Sequence, residues 1–460
     1  MRHLTYRFAL LAACACALLT PAVASATSTT AEIEASVTKG VTYLKSIQLT
    51  SGSFESEWDL SALAAGGVAA ANVQKAGAET DARTWYRKLV GNSTATKWPK
   101  EAIATEYERA ALNAYAAGID PARVSKTQNL IAGIASFYQN ANQGYYGAPE
   151  VFEGAVFGLL ALADAKTESG VQRVPQVLLA KSIAVVEANQ HTDGGWNYQK
   201  AEGDEEIRKA AAEPDTTGAA MAALCSAGVS NTSEVIKKGA AYLQSLLIDK
   251  SGAFESEFGA NTDSNAWAVS GLNACGIGPQ EAGFTTKENK TPIDFLISQQ
   301  LTAGGFRYLT SGSSVNEYSS QDAIRSLAGA GFTAAPPVPT GGAERWFAES
   351  NFNTNTTKSP LALIINNDTA TLKFCSVSIA PESASTTLEA VLKAAEAGAT
   401  PTGCVTGHKS ESASKAITQI NGYPSTAAPE WVLSIDGGAE EQAKTNKVIH
   451  LGDTIYLRLA

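Results

Sequence analysis

Six times along the chain, an amphipathic segment is followed by a turn and then by a segment that is apolar on all sides. In the first amphipathic segment, VTKGVTYLKSI, the apolar face consists of Val37, Val41, Leu44 and Ile47, at helical spacing, and the lysines lie elsewhere. The segments that follow the turns are rich in Ala and Gly and nearly free of charge, as in DTTGAAMAALCSAG from Asp215. Amphipathic helices cover a core and helices that are apolar all round lie inside one. The pattern therefore predicts six pairs of outer and inner helices.

An aromatic residue marks the turn inside each pair. The six aromatics recur every 44 to 58 residues, at Phe54, Trp98, Tyr146, Trp196, Phe254 and Phe306. One pair alone cannot bury its apolar face, but six pairs closed in a circle can. We therefore predict a mainly α fold, an (α/α)6 toroid of six helix pairs, over residues 27–333.

Three of these turns share the pattern Gln-x3-Gly-x-aromatic. They are Gln48–Gly52–Phe54, Gln190–Gly194–Trp196 and Gln300–Gly304–Phe306. Gly supplies backbone angles that other residues rarely adopt. The Gln amide is expected to pack on the ring and to bond the free backbone groups at the helix end. We interpret the motif as a structural staple and not as a catalytic site.

The texture of the chain changes after TAAPPVPTGG, a Pro- and Gly-rich boundary that begins at Thr333. Residues 334–358 are predicted to be a linker that lets the second domain move. Beyond it, LALIINN, TLKFCSVSI, EWVLSID and TIYLRLA read as strands. TTLEAVLKAAEAG is predicted to be a helix that Thr386 or Thr387 opens and Gly398 closes. Residues 359–460 are therefore predicted to form a small α+β domain.

The N-terminus predicts export. Residues 1–26 combine a basic start, an apolar run and the small-residue site Ala24-Ser25-Ala26, which together are typical of a signal peptide. The LAAC at Leu11–Cys14 leaves a lipoprotein anchor as the alternative. No other segment is long and apolar enough to predict stable membrane insertion. We expect a secreted, extracellular protein, with cell-surface association as an open alternative.

The charge balance argues against two classes of partner. The formal net charge is −10, and it becomes −12 when cleavage removes Arg2 and Arg7. An evenly acidic chain is a poor candidate for binding nucleic acid or anionic lipid.

Four cysteines remain after cleavage, and four allow three pairings. An oxidising exterior favours disulfides. We expect one disulfide in each domain, Cys225–Cys275 and Cys375–Cys404, with buried free thiols as the alternative.

The repeats resemble the QW motif of terpene cyclase and prenyltransferase toroids, Lys/Arg-Gly-x2-aromatic-Leu-x3-Gln-x3-Gly-x-Trp. Residues 39–54, KGVTYLKSIQLTSGSF, match every position with Phe54 for the final Trp. The cyclases carry a DxDD acid, but in AEPDTTGAAM only Asp215 stands at such a place, and Thr216 replaces the final acid. We interpret Asp215 as an N-cap or first-turn residue.

The prenyltransferase relatives hold zinc through Asp, Cys and His. After cleavage the chain has only His191, His408 and His450, and they are far apart in sequence. We therefore predict no catalytic residues and no metal site, and the sequence leans away from an enzyme.

The tail resembles the C-terminal domain of transcobalamin and intrinsic factor. TTLEAVLKAA, ITQINGY, EWVLSIDGG and HLGDTIYLRL occur in the same order. In that family the small domain follows an (α/α)6 toroid, and cobalamin lies between the two. The resemblance implies a small-molecule binding protein that requires no cofactor, with cobalamin or a related corrinoid as the leading ligand.

We expect the ligand near the starts of the inner helices, with the small domain as a lid. The predicted ligand-binding residues are Trp58, Tyr107, Tyr146, Asp215, Asp263, Trp267, Tyr318, Trp431 and Asp436. Three alternatives stay open: a terpene cyclase-like or prenyltransferase-like enzyme, a carbohydrate-active enzyme that uses Glu106 and Glu108 with nearby aromatics, and an adhesive surface protein.

Overall fold

A computed structural model describes residues 27–91, 98–349, 358–367, 372–380, 385–423 and 430–460. The predicted signal peptide and the alternative lipoprotein site lie outside the described residues. Fourteen α-helices occur in the described part of the chain. Six of them are outer helices: α1 (Thr30–Ile47), α3 (Ala82–Gly91), α5 (Leu130–Ala135), α7 (Gln176–Ala188), α10 (Glu234–Ser245) and α12 (Pro292–Ser298). Six are inner helices: α2 (Trp58–Ala65), α4 (Ala104–Ala116), α6 (Phe152–Ala163), α9 (Pro214–Ser226), α11 (Thr262–Ala274) and α13 (Glu317–Leu327). The short α8 (Glu205–Lys209) lies between α7 and α9, and α14 (Leu388–Gly398) belongs to the tail.

The inner helices form a closed ring. Each contacts the next in chain order, and α13 contacts both α2 and α1. The inner helices are buried nearly all round, because their Ala and Gly residues let neighbouring backbones approach closely. At Gly218 on α9, for example, a Cβ would meet the carbonyl oxygen of Trp267 at 2.2 Å. The predicted (α/α)6 toroid is confirmed.

The Gln-x3-Gly-x-aromatic turns join one repeat to the next. Gln190 Nε2 donates to the carbonyl oxygens of Gly194 and Val235, each at 2.8 Å, and Val235 belongs to the next outer helix. Gln300 Nε2 makes the same bonds to Gly304 and to Ser36 of α1, and so links the sixth repeat to the first. The staple therefore also closes the ring.

The tail forms a five-stranded sheet in the order β2-β1-β9-β6-β7, in which only β1 and β9 pair in parallel. The strands are β1 (Ser359–Asn366), β2 (Leu372–Ile379), β6 (Trp431–Ile435), β7 (Glu441–Gln442) and β9 (Thr454–Leu459). Two-stranded sheets are formed by β3 (Ser385–Thr387) with β8 (Val448–His450) and by β4 (His408–Ser410) with β5 (Ile417–Ile420). The four predicted strands and the helix are present. Thr387 caps α14, whereas Gly398 is its last helical residue and has no left-handed angle.

One face of the sheet packs on the toroid. Along β1, Leu361 and Leu363 face the core of the small domain, and Ala362 and Ile364 join the core of the toroid, as the alternation of a strand requires. Phe374 of β2 lies in the same shared core. The main contact is with α5. The small domain is therefore fastened through an apolar face.

The predicted mobile linker is also packed against the toroid, as far as the structure describes it. Phe347 N donates to the carbonyl oxygen of Gly118 at 2.7 Å, and Asp120 N donates to that of Phe347 at 2.8 Å. Trp346 is buried beside Tyr115. The described part of the predicted linker therefore packs along the loop after α4 in this structure.

Both predicted disulfides are present. Cys225–Cys275 joins the C-terminal ends of α9 and α11, with Cα atoms 5.1 Å apart, and Cys375–Cys404 lies inside the small domain. Disulfides of this kind fit an oxidising compartment. Within the described residues, none of the helices combines the length and apolarity that crossing a bilayer needs.

Candidate functional site

The toroid has an open cavity of about 730 Å³ at the N-terminal ends of its inner helices. Side chains from the inner helices α2, α4, α9, α11 and α13 line it, and Trp85 and Leu89 of the outer helix α3, the loop 53–57, Trp98 and Lys100 complete its walls. We call it the mouth cavity. A smaller cavity of about 210 Å³ adjoins it and shares Asp215 and Trp267.

Five of the nine predicted ligand-binding residues meet in the mouth cavity. They are Trp58, Asp215, Asp263, Trp267 and Tyr318. Each lies in the first turns of an inner helix. The repeat phase alone brings them together, because equivalent positions of successive repeats face the same end of the ring. Asp215 is a first-turn residue behind Glu213 and Pro214 and not the N-cap.

The structure places two predicted toroid residues outside this cavity. Tyr107 is half-buried between Trp98 and Phe137, with ring centroids 5.2 and 5.7 Å away. Tyr146 is fully buried and its hydroxyl lies 3.0 Å from Ser182 Oγ. Both rings act as core packing in their repeats.

The two residues predicted for the lid also lie away from the mouth cavity. Trp431 is fully buried in the small domain, where its Nε1 donates to the Tyr423 carbonyl oxygen at 3.1 Å. Asp436 forms an ion pair with Arg173 at 2.8 Å, and Arg173 also binds Asp120 at 2.6 Å. Asp120 follows the C-terminal end of α4, about 20 Å along that helix from the mouth, at 1.5 Å per residue.

The expected closure of the mouth by the segment around Trp431 and Asp436 is therefore wrong in this structure. The physical reason is that the apolar face of the sheet is buried against α5, and that Arg173 forms ion pairs with both Asp120 and Asp436. These contacts hold the small domain away from the mouth cavity. The small domain instead contacts α5 and the loops that follow the C-terminal ends of α4 and α6.

Trp58 and Trp267, together with the rings of Phe157 and Phe332 packed against Trp267, form what we call the floor of the mouth cavity. Phe157 packs edge-on against Trp267 at 5.8 Å, and Trp267 packs edge-on against Phe332 at 5.0 Å. The guanidinium of Arg325, itself only 1% exposed, lies 5.3 Å from the ring of Trp58 and 5.1 Å from that of Phe332. The floor thus already stabilises one buried positive charge.

Carboxyl groups from neighbouring inner helices converge above this floor. Asp322 accepts hydrogen bonds from Trp267 Nε1 at 2.8 Å and from Arg325 Nη2 at 2.6 Å. Asp263 accepts one from Ser319 Oγ. Burial, with the carboxylates of Asp322 and Asp215, raises the pKa of Asp263 to about 7. This carboxyl can therefore exchange a proton near neutral pH.

A second acidic group lies where the two cavities meet. Burial and the carboxylate of Asp215 raise the pKa of Glu213 to about 7, and burial also raises the pKa of Asp215. Glu153 on α6 lines the smaller cavity beside them, and burial raises its pKa as well. Acids of equivalent repeat positions therefore repel one another around the ring.

Below the cavity, Asp59 and Glu317 approach each other. Asp59 is fully buried, and neither of its carboxyl oxygens accepts a hydrogen bond from a donor group of the described residues. Burial, followed by the adjacent carboxyl group of Glu317, raises the pKa of Asp59 well above its ordinary value. Burial and the neighbouring carboxyl group therefore favour the protonated form of Asp59.

Sequence reasoning missed several residues of the site, above all Gln321, Asp322 and Arg325. The sequence does contain a signal for them. The segment EYSSQDAIRSL occupies the place of an inner helix in its repeat, yet it carries the charged residues Asp322 and Arg325, which the other inner segments largely lack. It also missed Arg109, which binds Glu57 and, at 2.8 Å, Glu106 on the rim. In the described part of the chain, no group of three or more His, Cys, Asp or Glu side chains could hold a metal ion.

Several solved structures are similar to this chain, all at low identity. The type II terpene cyclase MstE from Scytonema has a TM-score of 0.44 and 14% identity, covering 65% of this chain and 98% of its own. Protein geranylgeranyltransferase-I of Candida albicans, complexed with GGPP, has a TM-score of 0.39 and 15% identity, and the match covers 65% of this chain and 86% of that one. Haptocorrin in complex with Cbi has a TM-score of 0.36 and 12% identity, and the match covers 93% of this chain and 97% of that one. No family model and no curated protein matches the chain.

These are the classes of protein that the sequence motifs resemble. With TM-scores below 0.5, the likenesses carry no argument about what this chain binds. The contacts of the mouth cavity have to carry that argument.

Proposed function

We propose that the protein binds a small organic molecule in the mouth cavity. The observation that carries the proposal is the convergence of rings and carboxyl groups from five inner helices on one open cavity of about 730 Å³. Cavities of roughly 300–1,000 Å³, with apolar walls and a few placed polar groups, are typical of small-molecule sites.

The buried polar groups of the floor support binding over a purely structural role. Asp322, Gln321 and Arg325 are almost fully buried at a place that apolar side chains could fill. Burying polar groups is costly unless their hydrogen bonds are satisfied. A toroid that only packs would be more stable with an apolar floor.

A ligand screen with a cavity-filling variant tests the proposal. A library of small organic molecules is screened by thermal shift and tryptophan fluorescence against the chain that starts at Thr27. A ligand at 100 times its Kd should stabilise the fold by about 2.7 kcal/mol. Ser53→Trp places a large ring at the cavity wall and should abolish this shift, whereas Ser51→Trp, two residues away and outside the lining, should not. Equal binding by both variants would contradict the proposal.

A corrinoid is the specific ligand that the sequence resemblance implies, and it remains a proposal. The order of toroid and small domain supports it. The docking of the small domain at the far end leaves the mouth cavity without a second wall, which a sandwiched ligand would need. Titration with cobalamin and cobinamide, followed by corrin absorbance, tests it. An unchanged spectrum at micromolar ligand would remove the corrinoid.

Acid catalysis is a second candidate function, favoured by the carboxyl groups of Asp263 and Glu213. With pKa values raised to about 7, each keeps a proton to donate near neutral pH, between aromatic walls that suit a developing cation. Turnover of a squalene-like substrate should fall as pH rises through about 7. It should be lost in Asp263→Asn and Glu213→Gln. No turnover at any pH would leave binding alone.

We also propose that the protein is exported and works in an oxidising compartment. The two disulfides support this. Fractionation of a culture that expresses the full chain tests it: the protein should occur outside the cytoplasm without its first 26 residues. Its presence in the membrane or cell-wall fraction would favour the lipoprotein or cell-surface alternative.

A further inference from the structure

The walls of the mouth cavity carry an excess of hydrogen-bond acceptors. Six carboxylic acids line it, against the basic Lys100 and Arg109. Arg109 is already paired with Glu57 and Glu106 on the rim. Within the described residues, Asp215 and Asp263 have no ion-pair partner, although both face the cavity.

Gln321 adds a buried acceptor without a partner. Its side chain lines the cavity, is only 2% exposed, and its Oε1 accepts no hydrogen bond from the described residues. Buried polar atoms almost always have a partner. A hydrogen-bond donor from a ligand would supply the missing one.

Aromatic rings surround these acceptors. Trp58, Trp85, Trp98, Trp267 and Tyr318 all line the cavity. Ring faces attract cations, more strongly where water is excluded. The fold itself uses this attraction when it holds the Arg325 guanidinium against Trp58 and Phe332.

We propose that the ligand of the mouth cavity is an organic ammonium ion. Its charged nitrogen lies between the rings and the carboxylates of Asp215 and Asp263, and an N–H donor, where it has one, bonds Gln321 Oε1. The inference rests on the proposed binding function and names the chemistry of its ligand. A neutral saccharide could use the same rings and acceptors, and it is therefore the competing result of the test.

Proton release is a consequence of this arrangement. Asp263 on α11 faces Asp215 on α9, Asp322 and Ser319 on α13, and Tyr308 in the preceding turn. A bound cation favours the ionised form of Asp263, whose pKa of about 7 must then fall. Binding should release protons near pH 7 and tighten as the pH rises from about 6 to about 8.

Calorimetric titration with matched probes tests the inference. Choline and benzyltrimethylammonium are compared with 3,3-dimethylbutan-1-ol, the neutral isostere of choline, and with cellobiose. The cations should bind at least about tenfold more tightly than the isostere. Equal or tighter binding of the isostere or of cellobiose would overturn the ammonium inference and leave the binding function intact. Failure of these probes and of the whole small-molecule library would remove both.

Variants locate the bound cation. Tyr318 is 59% exposed, so Tyr318→Leu should fold and yet weaken benzyltrimethylammonium binding about fivefold, within the range of one cation–π contact. Tyr318→Phe should retain the affinity. Asp263→Asn should weaken binding about tenfold and remove the proton release, whereas Asp249→Asn, an exposed acid away from the cavity, should change neither. Unchanged affinity in Asp263→Asn and Tyr318→Leu would contradict the inference.

Discussion

At the scale of single residues, two turn glycines let neighbouring repeats of the toroid approach closely. Gly194 has a φ of 98°, and a Cβ there would meet the carbonyl oxygen of Lys238 in the next outer helix at 2.7 Å. Gly304 has the same conformation against Lys39. The turn therefore needs glycine both for its backbone angle and for the close approach of the next repeat.

Gly194→Ala should lower the free energy of unfolding by about 2–4 kcal/mol, because strain at positive φ and the clash with Lys238 add. Gly203→Ala is the matched control, since Gly203 has a φ of 81° but open space around it. The control should cost only about 1 kcal/mol in chemical denaturation. Equal losses for the two variants would show that the contact between repeats does not matter.

A buried acid gives a second prediction at this scale. Glu108 is fully buried in α4, both its carboxyl oxygens lack a hydrogen-bond partner among the described residues, and burial raises its pKa well above the ordinary value. In the unfolded chain it ionises near pH 4.3, so folding is progressively disfavoured as the pH rises above about 4. Glu108→Gln should therefore increase the free energy of unfolding at pH 7 by about 1–3 kcal/mol. The melting temperature should rise accordingly. The gain should vanish at about pH 3.5; a gain independent of pH would contradict this account.

At the scale of elements, the hydrophobic pattern was sufficient to predict the helix pairs, the strands and the position of five site residues. The helices and strands follow from the local spacing of apolar residues in the sequence. The five site residues occupy equivalent positions in successive repeats, so their side chains lie at the same end of the ring. Gln321 and Arg325 could not be assigned in the same way, because a polar residue on a buried helix reveals its partner only after packing. The two faces of β1 were hidden for the same reason, although LALIINN is apolar at consecutive positions, as doubly buried strands are.

Gln300 supports the closure of the ring, beside the packing of α13 on α1 and α2. Gln300 bonds both Gly304 and Ser36, and so joins α12 to α1 across the ends of the toroid. Gln300→Met keeps the volume but removes the bonds to the Gly304 and Ser36 carbonyl oxygens and leaves the Ser36 hydroxyl without its acceptor, so it should destabilise the fold by about 1–3 kcal/mol. Gln74→Met removes a hydrogen bond at an exposed site and should change stability by less than about 0.5 kcal/mol. Denaturant unfolding that shows no difference between the two variants would refute the closing role.

At the scale of the whole molecule, the toroid and the small domain are joined by an apolar face and by a network of ion pairs. Arg173, 4% exposed, binds Asp120 of the toroid and Asp436 of the small domain. Arg123 binds Asp453 at 2.9 Å beside them. The sequence predicts both bodies, but it could not predict where they dock, because the interface consists of side chains from distant segments. The mouth cavity is open because this docking takes place at the far end.

Arg173→Met should weaken the docking, since it leaves the half-buried Asp120 without its arginine and Asp436 with only Arg123, 3.8 Å away. Breaking a buried ion pair in this way costs about 3–5 kcal/mol. Limited proteolysis should then cut between the two bodies, in residues 334–358, faster than in the native protein. Lys287→Met, which removes an exposed ion pair with Asp249, should leave the cleavage rate unchanged. An unchanged rate in Arg173→Met would show that the apolar face holds the domains without the arginine.

The location of the bound ligand is the most direct test of a binding site in the mouth cavity. Hydrogen–deuterium exchange is measured with and without a saturating ligand, either benzyltrimethylammonium or the tightest binder from the screen. A ligand in the mouth cavity should slow exchange at the N-terminal ends of the inner helices, in residues 53–58, 261–267 and 316–322, and leave exchange in residues 431–438 unchanged. Protection confined to residues 118–124 and 431–438, where the small domain meets the toroid, would place the ligand between the two bodies and contradict a site in the mouth cavity.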